Sequence, residues 1–324
     1  MPPKNQDAGG AVNSMESAEI RQQTGSKRGY FNIERKRMAW GIVFVTPILL
    51  FLAAFMAYPI ISVFIYSFTS WDGIGQMKFI GLENFTKIFQ SKEFWTVIKN
   101  NLYFMVIGVP VWTVTPLLVA IFLYEEVKGY KFFRTAFLLP TVLSAVVVGI
   151  LFRAFFDYHG PINAVFKELG LDFLAIQWLA SGKTAIPIIV MAINWAGFGS
   201  AVLIFLAGMA SISPSVYESS YLDGANWWQR LFHITIPMIN NVTQFVIVLN
   251  IISSFTSLFN YVFVITNGGP GYESTVIEFL IYLKAFRSNQ LGYACALAVI
   301  LFFIVLLISK LQMKAFLKPE DWRE

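Results

Sequence analysis

The sequence has few charged residues, a single cysteine and no segment with the pattern of a secretory signal peptide. Asp, Glu, Lys and Arg make up 13% of the 324 residues, whereas 56% are hydrophobic and the mean hydropathy is +0.62. A soluble domain of this length could not bury so much apolar surface, so an integral membrane protein is predicted. The lone Cys295 excludes an intrachain disulfide and a cysteine metal site, and its apolar surroundings predict a packing residue.

The apolar residues form unbroken runs of membrane-spanning length. Unbroken runs indicate helices, whereas a membrane barrel would show short alternating strands, so the predicted fold class is an all-α polytopic membrane protein. Residues 1–30, rich in Gly, Ser, Gln and charge, predict a disordered cytoplasmic tail, and a transmembrane domain is expected over 31–324. Six spans are predicted, at about 39–68, 101–124, 136–156, 185–210, 241–265 and 291–310.

Basic residues near the span ends predict the orientation. A basic cluster at 35–37 precedes the first span, and three lysines at 310–318 follow the last. Because Lys and Arg concentrate on the cytoplasmic side, both termini are predicted to be cytoplasmic. The segments 71–99 and 266–288 are then external, and the segment 211–240 is internal. The net charge of +5 therefore reflects membrane orientation rather than nucleic-acid binding.

The internal segment between the fourth and fifth spans carries helix start and stop signals. Gly224 is suited to the left-handed conformation that ends a helix, and a second helix should finish before Pro237. The start signals are Ser213 with Pro214 at the first helical position, Ser215 with Glu218 at capping-box spacing, and Asn226 with Gln229 at the same spacing. These signals predict a short helical hairpin at the membrane surface.

Polar residues recur at helical spacing in the fifth predicted span. A polar stripe costs free energy in contact with lipid, so it should face a protein neighbour or water. Two interpretations stay open, namely hydrogen bonds between helices and the lining of a solute pathway. The stripe consists of Asn250, Ser254, Ser257 and either Asn260 or Tyr261.

The fourth predicted span combines an indole with glycines and small polar groups. An indole provides a flat apolar face, and neighbouring amides and hydroxyls provide hydrogen bonds, which together suit a sugar ring. No charged residue lies deep in the fourth or fifth span, which argues against an ionic substrate and against proton coupling. The residues concerned are Asn194, Trp195, Gly197, Gly199 and Ser200.

Enzyme signatures are weak. The run 181–184, Ser-Gly-Lys-Thr, matches the end of a phosphate-binding loop, but position 177, where the loop requires its first glycine, is Gln. The two histidines, His159 and His233, fall on opposite sides of the membrane in this topology and cannot share a metal ion or a proton relay. No catalytic residue and no metal site are therefore predicted.

The hairpin resembles the E-A-A loop of permease subunits of bacterial ATP-binding-cassette (ABC) importers. Residues 218–237 read E-S-S-x-x-D-G-A-x-x-W-Q-x-x-x-x-I-T-I-P, and the W-Q and I-T-x-P extension is similar to the carbohydrate subfamily. Further matching motifs are G-L-E-N-F at 81–85, F-R-T-A-F-L-L-P at 133–140, T-N-G-G-P at 266–270, and A-F with L-G-Y-A within 285–294. The chain from residue 39 onward is thus similar to a maltose-permease-like subunit.

The resemblance implies roles for two groups of residues. The hairpin would dock onto a cytoplasmic ATPase, and the saccharide would contact the fourth and fifth spans, in a cavity that could be wider than in relatives because serine replaces larger residues. The ATPase-coupling residues would be Glu218, Ser219, Ser220, Asp223, Gly224 and Ala225. The substrate-cavity residues would be Trp195, Gly197, Ser200, Asn250, Ser254 and Ser257.

The resemblance also implies partners. A permease of this kind pairs with a second related permease, two ATP-binding subunits that hold the ATP and magnesium, and an extracytoplasmic solute-binding protein. The chain itself would need no cofactor, would catalyse no covalent step, and would lie in the bacterial cytoplasmic membrane among lipid. Two alternatives stay open: an ATP-driven importer of glycerol phosphate, polyamine or peptide, and a secondary carrier or channel that acts alone.

Overall fold

The computed structural model describes residues 40–125 and 129–316. The predicted tail at 1–30 and the basic cluster at 35–37 lie outside these residues. The chain divides into two units between Ser62 and Val63. Both candidate functional regions described below lie in the second unit.

Secondary structure in the described ranges is almost entirely helical, with one antiparallel ribbon in which Thr69 pairs with Phe79. The elements in chain order are α1 (Trp40–Tyr66), β1 (Thr69–Ser70), β2 (Lys78–Phe79), α2 (Glu83–Gln90), α3 (Lys92–Tyr124), α4 (Tyr130–Leu138), α5 (Ala145–Phe155), α6 (Pro161–Glu168), α7 (Gly182–Ala210), α8 (Pro214–Leu222), α9 (Trp227–Arg230), α10 (Asn240–Thr256), α11 (Phe259–Ile265), α12 (Ile277–Tyr282) and α13 (Leu291–Phe316).

Four helices, α1, α3, α7 and α13, are long and apolar enough to cross a membrane, and the number rises to six if each of two bent pairs is one span. A polytopic all-α protein is therefore confirmed, while the six-span arrangement with cytoplasmic termini stays a prediction. The second predicted span, 101–124, lies within α3, which starts earlier, at Lys92, where the Ser91 hydroxyl accepts a hydrogen bond from the Phe94 amide.

The third predicted span is not one continuous helix. A 3-10 turn at Leu139–Val142 follows α4, and α5 leaves at 101° to the helical segment before it. Pro140 lacks an amide hydrogen and so cannot continue the backbone hydrogen bonds of α4, and the Ser144 hydroxyl caps the new helix by accepting from the Val147 amide. The break leaves Leu143 extended in the middle of the unit.

The fifth predicted span is interrupted as well. Helix α10 ends at Thr256, Ser257 leaves the helical conformation with φ −139°, and α11 starts at Phe259. The amides of Leu258 and Phe259 both donate to the Glu278 carboxylate, at 2.9 and 3.1 Å. The break is thus stabilised by a side chain 20 residues further along the chain.

Three clusters of buried side chains follow one another along α3. Phe94 packs with residues of α2, α12 and α13; Phe104 packs with α5, α7 and α11; Ile121 packs with α7, α10 and the segment after α9. The order of these clusters places the β-ribbon, α2 and α12 at one end of the unit, here named the ribbon end. The segment 211–240 lies at the other end, here named the hairpin end.

The segment 71–99, predicted to be external, contains several secondary-structure elements. It contains the second strand of the ribbon, then α2, then the first turns of α3. The Asn84 amide is buried and donates to the carbonyls of Ser67 and Thr69, which ties α2 to the start of the ribbon. These contacts give the ribbon end a defined conformation.

Candidate functional site

A cavity of about 370 Å³ lies between α3, α7, α10 and the two helix breaks. Its volume is within the usual range of small-molecule sites, about 300–1,000 Å³. None of its lining residues is charged; they are Trp112, Pro116, Thr141, Leu143, Ile193, Asn194, Ala196, Gly197, Phe198, Ser200, Ala201, Asn250, Ser253, Ser257, Leu258 and Tyr261. The surface combines hydroxyl and amide groups with aromatic rings, which are the groups that bind neutral polar molecules with apolar faces.

Four of the six predicted cavity residues lie together on this surface. Gly197 and Ser200 come from α7, Asn250 comes from α10, and Ser257 comes from the break after α10. The Asn250 amide also donates to the Thr113 hydroxyl of α3 at 3.1 Å. The two interpretations of the polar stripe therefore both apply at this residue, which joins two helices and lines the cavity.

The other two predicted residues are placed differently. Ser254 is fully buried, and its hydroxyl donates to the Asn250 carbonyl one turn earlier, at 2.9 Å. Trp195 lines a separate apolar cavity of about 430 Å³ with Phe152, Phe155 and other residues of the α5 end. Trp195 points to the opposite side of α7 from the polar cavity and presents no face to it.

Trp112 supplies the indole that the sequence analysis assigned to Trp195. Its indole N–H donates to the Val190 carbonyl of α7 at 3.0 Å, which fixes the ring beside the cavity. A Cβ at Gly108, one turn earlier, would lie 2.6 Å from the ring, so the glycine provides the room for it. Nearby, Thr115 and Asn194 join α3 to α7 by a hydrogen bond between their side chains at 3.2–3.3 Å. In the sequence, the prolines and threonines around Trp112 in an otherwise apolar helix could have indicated that α3 forms a wall of the cavity.

The hairpin segment forms two short helices joined by a turn at Gly224. Gly224 has φ +76°, the left-handed conformation expected of it. The Asn226 side chain accepts from the Gln229 amide at 2.9 Å, and the Gln229 side chain accepts from the Asn226 amide at 2.8 Å. The predicted helix stop and the predicted capping box at 226–229 are therefore confirmed.

Two local predictions in the hairpin are wrong. Helix α8 starts at Pro214, so Ser215 lies inside it and forms no capping box with Glu218; the Ser213 hydroxyl contacts the Ser215 hydroxyl at 2.8 Å instead of capping the helix. The second helix does not finish before Pro237. It continues to Met238 through a π-turn at Leu231–Thr235, whose wider turn accommodates the missing proline amide hydrogen.

The six predicted coupling residues surround the turn. Ser220 is buried, and its hydroxyl donates to the Tyr217 carbonyl at 2.6 Å, so it faces the rest of the unit. Ala225 is half-buried, and the four others, Glu218, Ser219, Asp223 and Gly224, are exposed. Leu222 beside them is 89% exposed, which is unusual for a leucine in a structured turn. The exposed side of the hairpin is therefore a mixed apolar and acidic surface.

Arg230 stabilises the hairpin internally. Its guanidinium lies 4.0 Å from the centre of the Tyr221 ring and donates to the Ala225 carbonyl at 2.7 Å. These contacts join α9 to α8 across the Gly224 turn, by a cation–π contact and a hydrogen bond. The two short helices are thus held as one body.

The hairpin is continuous with two of the helices that line the cavity, α7 and α10. Helix α7 ends at Ala210, just before α8, and α10 starts at Asn240, at 63° to the helical segment that begins at Trp227. Leu231 is buried with Met209 of α7 and Ile121 of α3. The backbone and this apolar cluster therefore connect the hairpin to α7 and α10.

The two histidines lie in different segments and outside the lining of the cavity. His159 follows α5, and His233 lies in the π-turn of the hairpin, with Nδ1 3.1 Å from the Gln229 carbonyl oxygen. Within the described ranges, no three His, Cys, Asp or Glu side chains are grouped so that they could hold a metal ion.

Several known proteins are similar to this chain over most of its length. The probable ABC transporter permease protein YurN of Bacillus subtilis is 32% identical over 278 residues, which cover 85% of this chain and 94% of YurN. The multiple sugar-binding transport system permease protein MsmF of Streptococcus mutans is 31% identical over 282 residues, 87% of this chain and 96% of MsmF. The arabinooligosaccharides transport system permease protein AraP of Bacillus subtilis is 31% identical over 291 residues, 88% and 91% of the two chains. No family model matches the chain.

Solved structures agree with these relatives. A chain of a bacterial ABC transporter that imports the acidic polysaccharide alginate superposes with a TM-score of 0.74 at 26% identity, covering 89% of this chain and 99% of that chain. A second structure contains the bacterial alginate ABC transporter in complex with a periplasmic protein that holds an alginate pentasaccharide. Its matched chain gives a TM-score of 0.75 at 25% identity, covering 87% of this chain and 94% of that chain.

Proposed function

Because this chain belongs to the permease family of sugar ABC transporters, we propose that it moves a mono- or oligosaccharide into the cell across the bacterial cytoplasmic membrane. The observation that carries the proposal is the connection between an uncharged cavity and the hairpin. Hydroxyl, amide and aromatic groups line the cavity, and both helices that carry its polar groups lead directly into the hairpin. The chain would work by alternating access, because closure of the ATPases would move the hairpin and hence the cavity walls.

The proposed complex has four other protein subunits. A second related permease would form the other half of the pathway, and two ATP-binding subunits would hold ATP and magnesium and carry out hydrolysis. An extracytoplasmic solute-binding protein would deliver the saccharide at the ribbon end, on 71–99 and 266–288. In the proposed topology six spans cross the lipid and both termini are cytoplasmic, so the hairpin end faces the cytoplasm. No nucleic acid takes part.

A neutral saccharide fits this chain better than an acidic one. A buried anion needs a charged or hydrogen-bonding partner to offset its lost hydration, and the cavity surface offers no cation. The coupling set, Glu218 with Ser219, Ser220, Asp223, Gly224 and Ala225, would form the contact with the ATPase. The saccharide contacts would come from Gly197, Ser200, Asn250 and Ser257, with the aromatic face supplied by Trp112.

Reconstitution tests the proposal. We expect proteoliposomes with both permeases, the ATPases and the loaded binding protein to take up radiolabelled saccharide only when ATP is present, and omission of any subunit to reduce uptake to background. The saccharide is first identified by mass spectrometry of the ligand that co-purifies with the binding protein. Accumulation by this chain alone, without nucleotide, would contradict the proposal, and a non-sugar ligand would favour the glycerol phosphate, polyamine or peptide alternative.

The Gly108→Ala variant tests the aromatic wall of the cavity. The added methyl group lies 2.6 Å from the Trp112 ring, so the ring must move and lose its hydrogen bond to Val190. Overpacking of this kind costs about 1–3 kcal/mol, and we expect uptake to fall by roughly tenfold with normal membrane insertion. The double variant Gly108→Ala/Trp112→Phe should recover part of the uptake, because phenylalanine is the smaller ring. Normal uptake by Gly108→Ala would show that Trp112 is not part of the saccharide site.

A further inference from the structure

The break in the fifth span is capped by a partly buried carboxylate from the ribbon end. A helix that starts inside a protein leaves its first amide hydrogens without partners, and these must be satisfied locally or by another segment. At α11 the Glu278 Oε2 atom accepts from the Leu258 amide at 2.9 Å and from the Phe259 amide at 3.1 Å. Glu278 belongs to α12, within the proposed external segment 266–288.

Asn101 of α3 also connects the fifth span to the external segment 266–288. Its fully buried side chain donates to the Ser254 carbonyl at 2.8 Å and accepts from the Ile277 amide at 3.0 Å. Ser254 lies in the last turn of α10, and Ile277 is the first residue of α12. One amide group from α3 therefore connects the helix end before the break to the start of the external helix.

The external segment has further attachments to the first turns of α3. The Asn100 amide donates to the carbonyls of Tyr272 and Thr275, at 2.7 and 2.9 Å, and the Lys284 ammonium lies 2.8 Å from the Glu93 carboxylate. The segment is thus held on α3 and is not a free loop. The contacts of Glu278 and Asn101 differ from these, because they reach the fifth span.

Helix capping alone would not require a partly buried acid. A serine or asparagine next to the break would satisfy the same amides without the desolvation of a carboxylate. Burial instead raises the pKa of the Glu278 carboxyl to about 7. Ser257 ends α10 and lines the cavity, and the N-cap residue of α11 is Leu258, whose side chain cannot accept, so the acid accepts from the first amides instead. The arrangement makes the conformation of the break depend on the external segment.

We propose that Glu278 and Asn101 form a polar latch through which the external segment 266–288 sets the position of the cavity wall at 257–261. Both are positioning residues, since neither lines the cavity, whereas Ser257, Leu258 and Tyr261 do. A displacement of α12 would withdraw the acceptor for α11 and shift these residues without any contact to the saccharide. The latch rests on the proposed function. It couples delivery of the saccharide at the ribbon end to the position of the cavity wall that binds the saccharide.

The test compares three carboxylate variants in the reconstituted complex. Glu278→Leu removes the acceptor, Glu278→Gln keeps a side-chain oxygen, and Asp157→Leu is the matched control. Asp157 also accepts a backbone amide, but from His159 in the loop after α5, outside the segments 71–99 and 266–288. We expect Glu278→Leu to lower the number of saccharides moved per ATP hydrolysed by roughly fivefold or more. The other two variants should stay within about twofold of the wild type, because they leave the acceptor of α11 in place.

A labelling experiment follows the cavity wall directly. In a Cys295→Ala background the only cysteine is removed, and Ser257→Cys places one thiol at the break. With Glu278 present, the rate of maleimide labelling should differ between the nucleotide-free complex and the complex trapped with ADP and vanadate. With Glu278→Leu the two rates should become equal, because the wall no longer follows the external segment.

The outcomes separate the latch from the proposed function. If the wild-type complex shows no ATP-dependent saccharide uptake, the proposed function is contradicted, whatever the variants show. Normal transport per ATP in Glu278→Leu, or a preserved difference in labelling rates, would overturn the latch in a complex that transports. If Glu278→Leu does not assemble, Asn101→Leu is used, which has a similar size but can neither donate to Ser254 nor accept from Ile277. This variant should also lower the number of saccharides moved per ATP hydrolysed, and the same number as in the wild type would overturn the latch.

Discussion

Replacing Gly224 with valine should abolish the stimulation of ATP hydrolysis by the loaded binding protein, while the complex still assembles in the membrane. Gly224 has φ +76°, and a β-branched residue in this region costs at least about 1–2 kcal/mol. The turn would relax toward an ordinary conformation and change the angle between α8 and α9. A Cβ at this position meets no atom within 4 Å, so the substitution causes strain without a clash inside the chain.

Gly224→Asn is the matched control for this experiment. Asparagine adopts the left-handed conformation more readily than other residues with a Cβ, so the turn should persist and most of the stimulation should remain. ATPase activity of the purified complex is measured with and without the loaded binding protein, beside the yield of assembled complex. Full stimulation in the valine variant would show that the Gly224 turn is not the element that docks onto the ATPase.

The parts of the hairpin that the sequence predicted correctly depend on near neighbours. The capping box of Asn226 with Gln229 and the left-handed conformation of Gly224 each depend only on residues nearby in the sequence. Both could therefore be predicted from the sequence. The capping box at Ser215 failed because Pro214, one residue earlier, is itself a strong first helical residue. The helix end before Pro237 failed because a π-turn offered the chain another way to accommodate proline.

The helix breaks could not be predicted from local pattern. Residues 241–265 are apolar enough for one continuous span, and the acceptor that makes the break possible, Glu278, lies in another segment. An apolar run predicts the length of a span, whereas its continuity depends on partners for the backbone groups at membrane depth. In the sequence, Asn101 is only the first residue of a predicted span, and Glu278 lies midway between two predicted spans.

Which indole lines the polar cavity could not be predicted from the sequence for a related reason. Helix α7 has buried positions on several sides, so its sequence carries little information on which side faces the cavity. Its register is set by close contacts, including Gly199 against the backbone of the α4 end. That register turns Gly197 and Ser200 toward the polar cavity and Trp195 toward the α5 end.

The same register leads to the second large effect, which is expected for Gly197→Leu. A Cβ at Gly197 meets no atom within 4 Å, so the leucine side chain can extend into the cavity of about 370 Å³ without disturbing the helix packing. Replacement of a mid-helix glycine also favours the helix by roughly 0.5–1 kcal/mol. We therefore expect unchanged or slightly higher thermal stability and a loss of saccharide uptake.

The loss should depend on the size of the saccharide. Filling part of a pocket discriminates between ligands by about 1–3 kcal/mol, so uptake of an oligosaccharide should fall by at least roughly tenfold and uptake of a monosaccharide by less. Competition between sugars of increasing length, measured in the same proteoliposomes, gives this dependence. Equal losses for all lengths would mean that the leucine blocks the pathway elsewhere and not at a saccharide subsite.

Gly199→Ala, two residues further along α7, provides the contrasting control. Its Cβ would lie 2.8 Å from the Leu138 Cα and still closer to the Phe137 carbonyl oxygen, so the end of α4 has to move away. Small residues allow membrane helices to approach closely, and an alanine here should lower the melting temperature and reduce uptake of all sugars alike. A stable Gly197 variant with length-dependent uptake, beside an unstable Gly199 variant without it, would assign the polar face of α7 to the saccharide. Length-dependent uptake in both variants would instead attribute the effect to helix packing and remove Gly197 from the site.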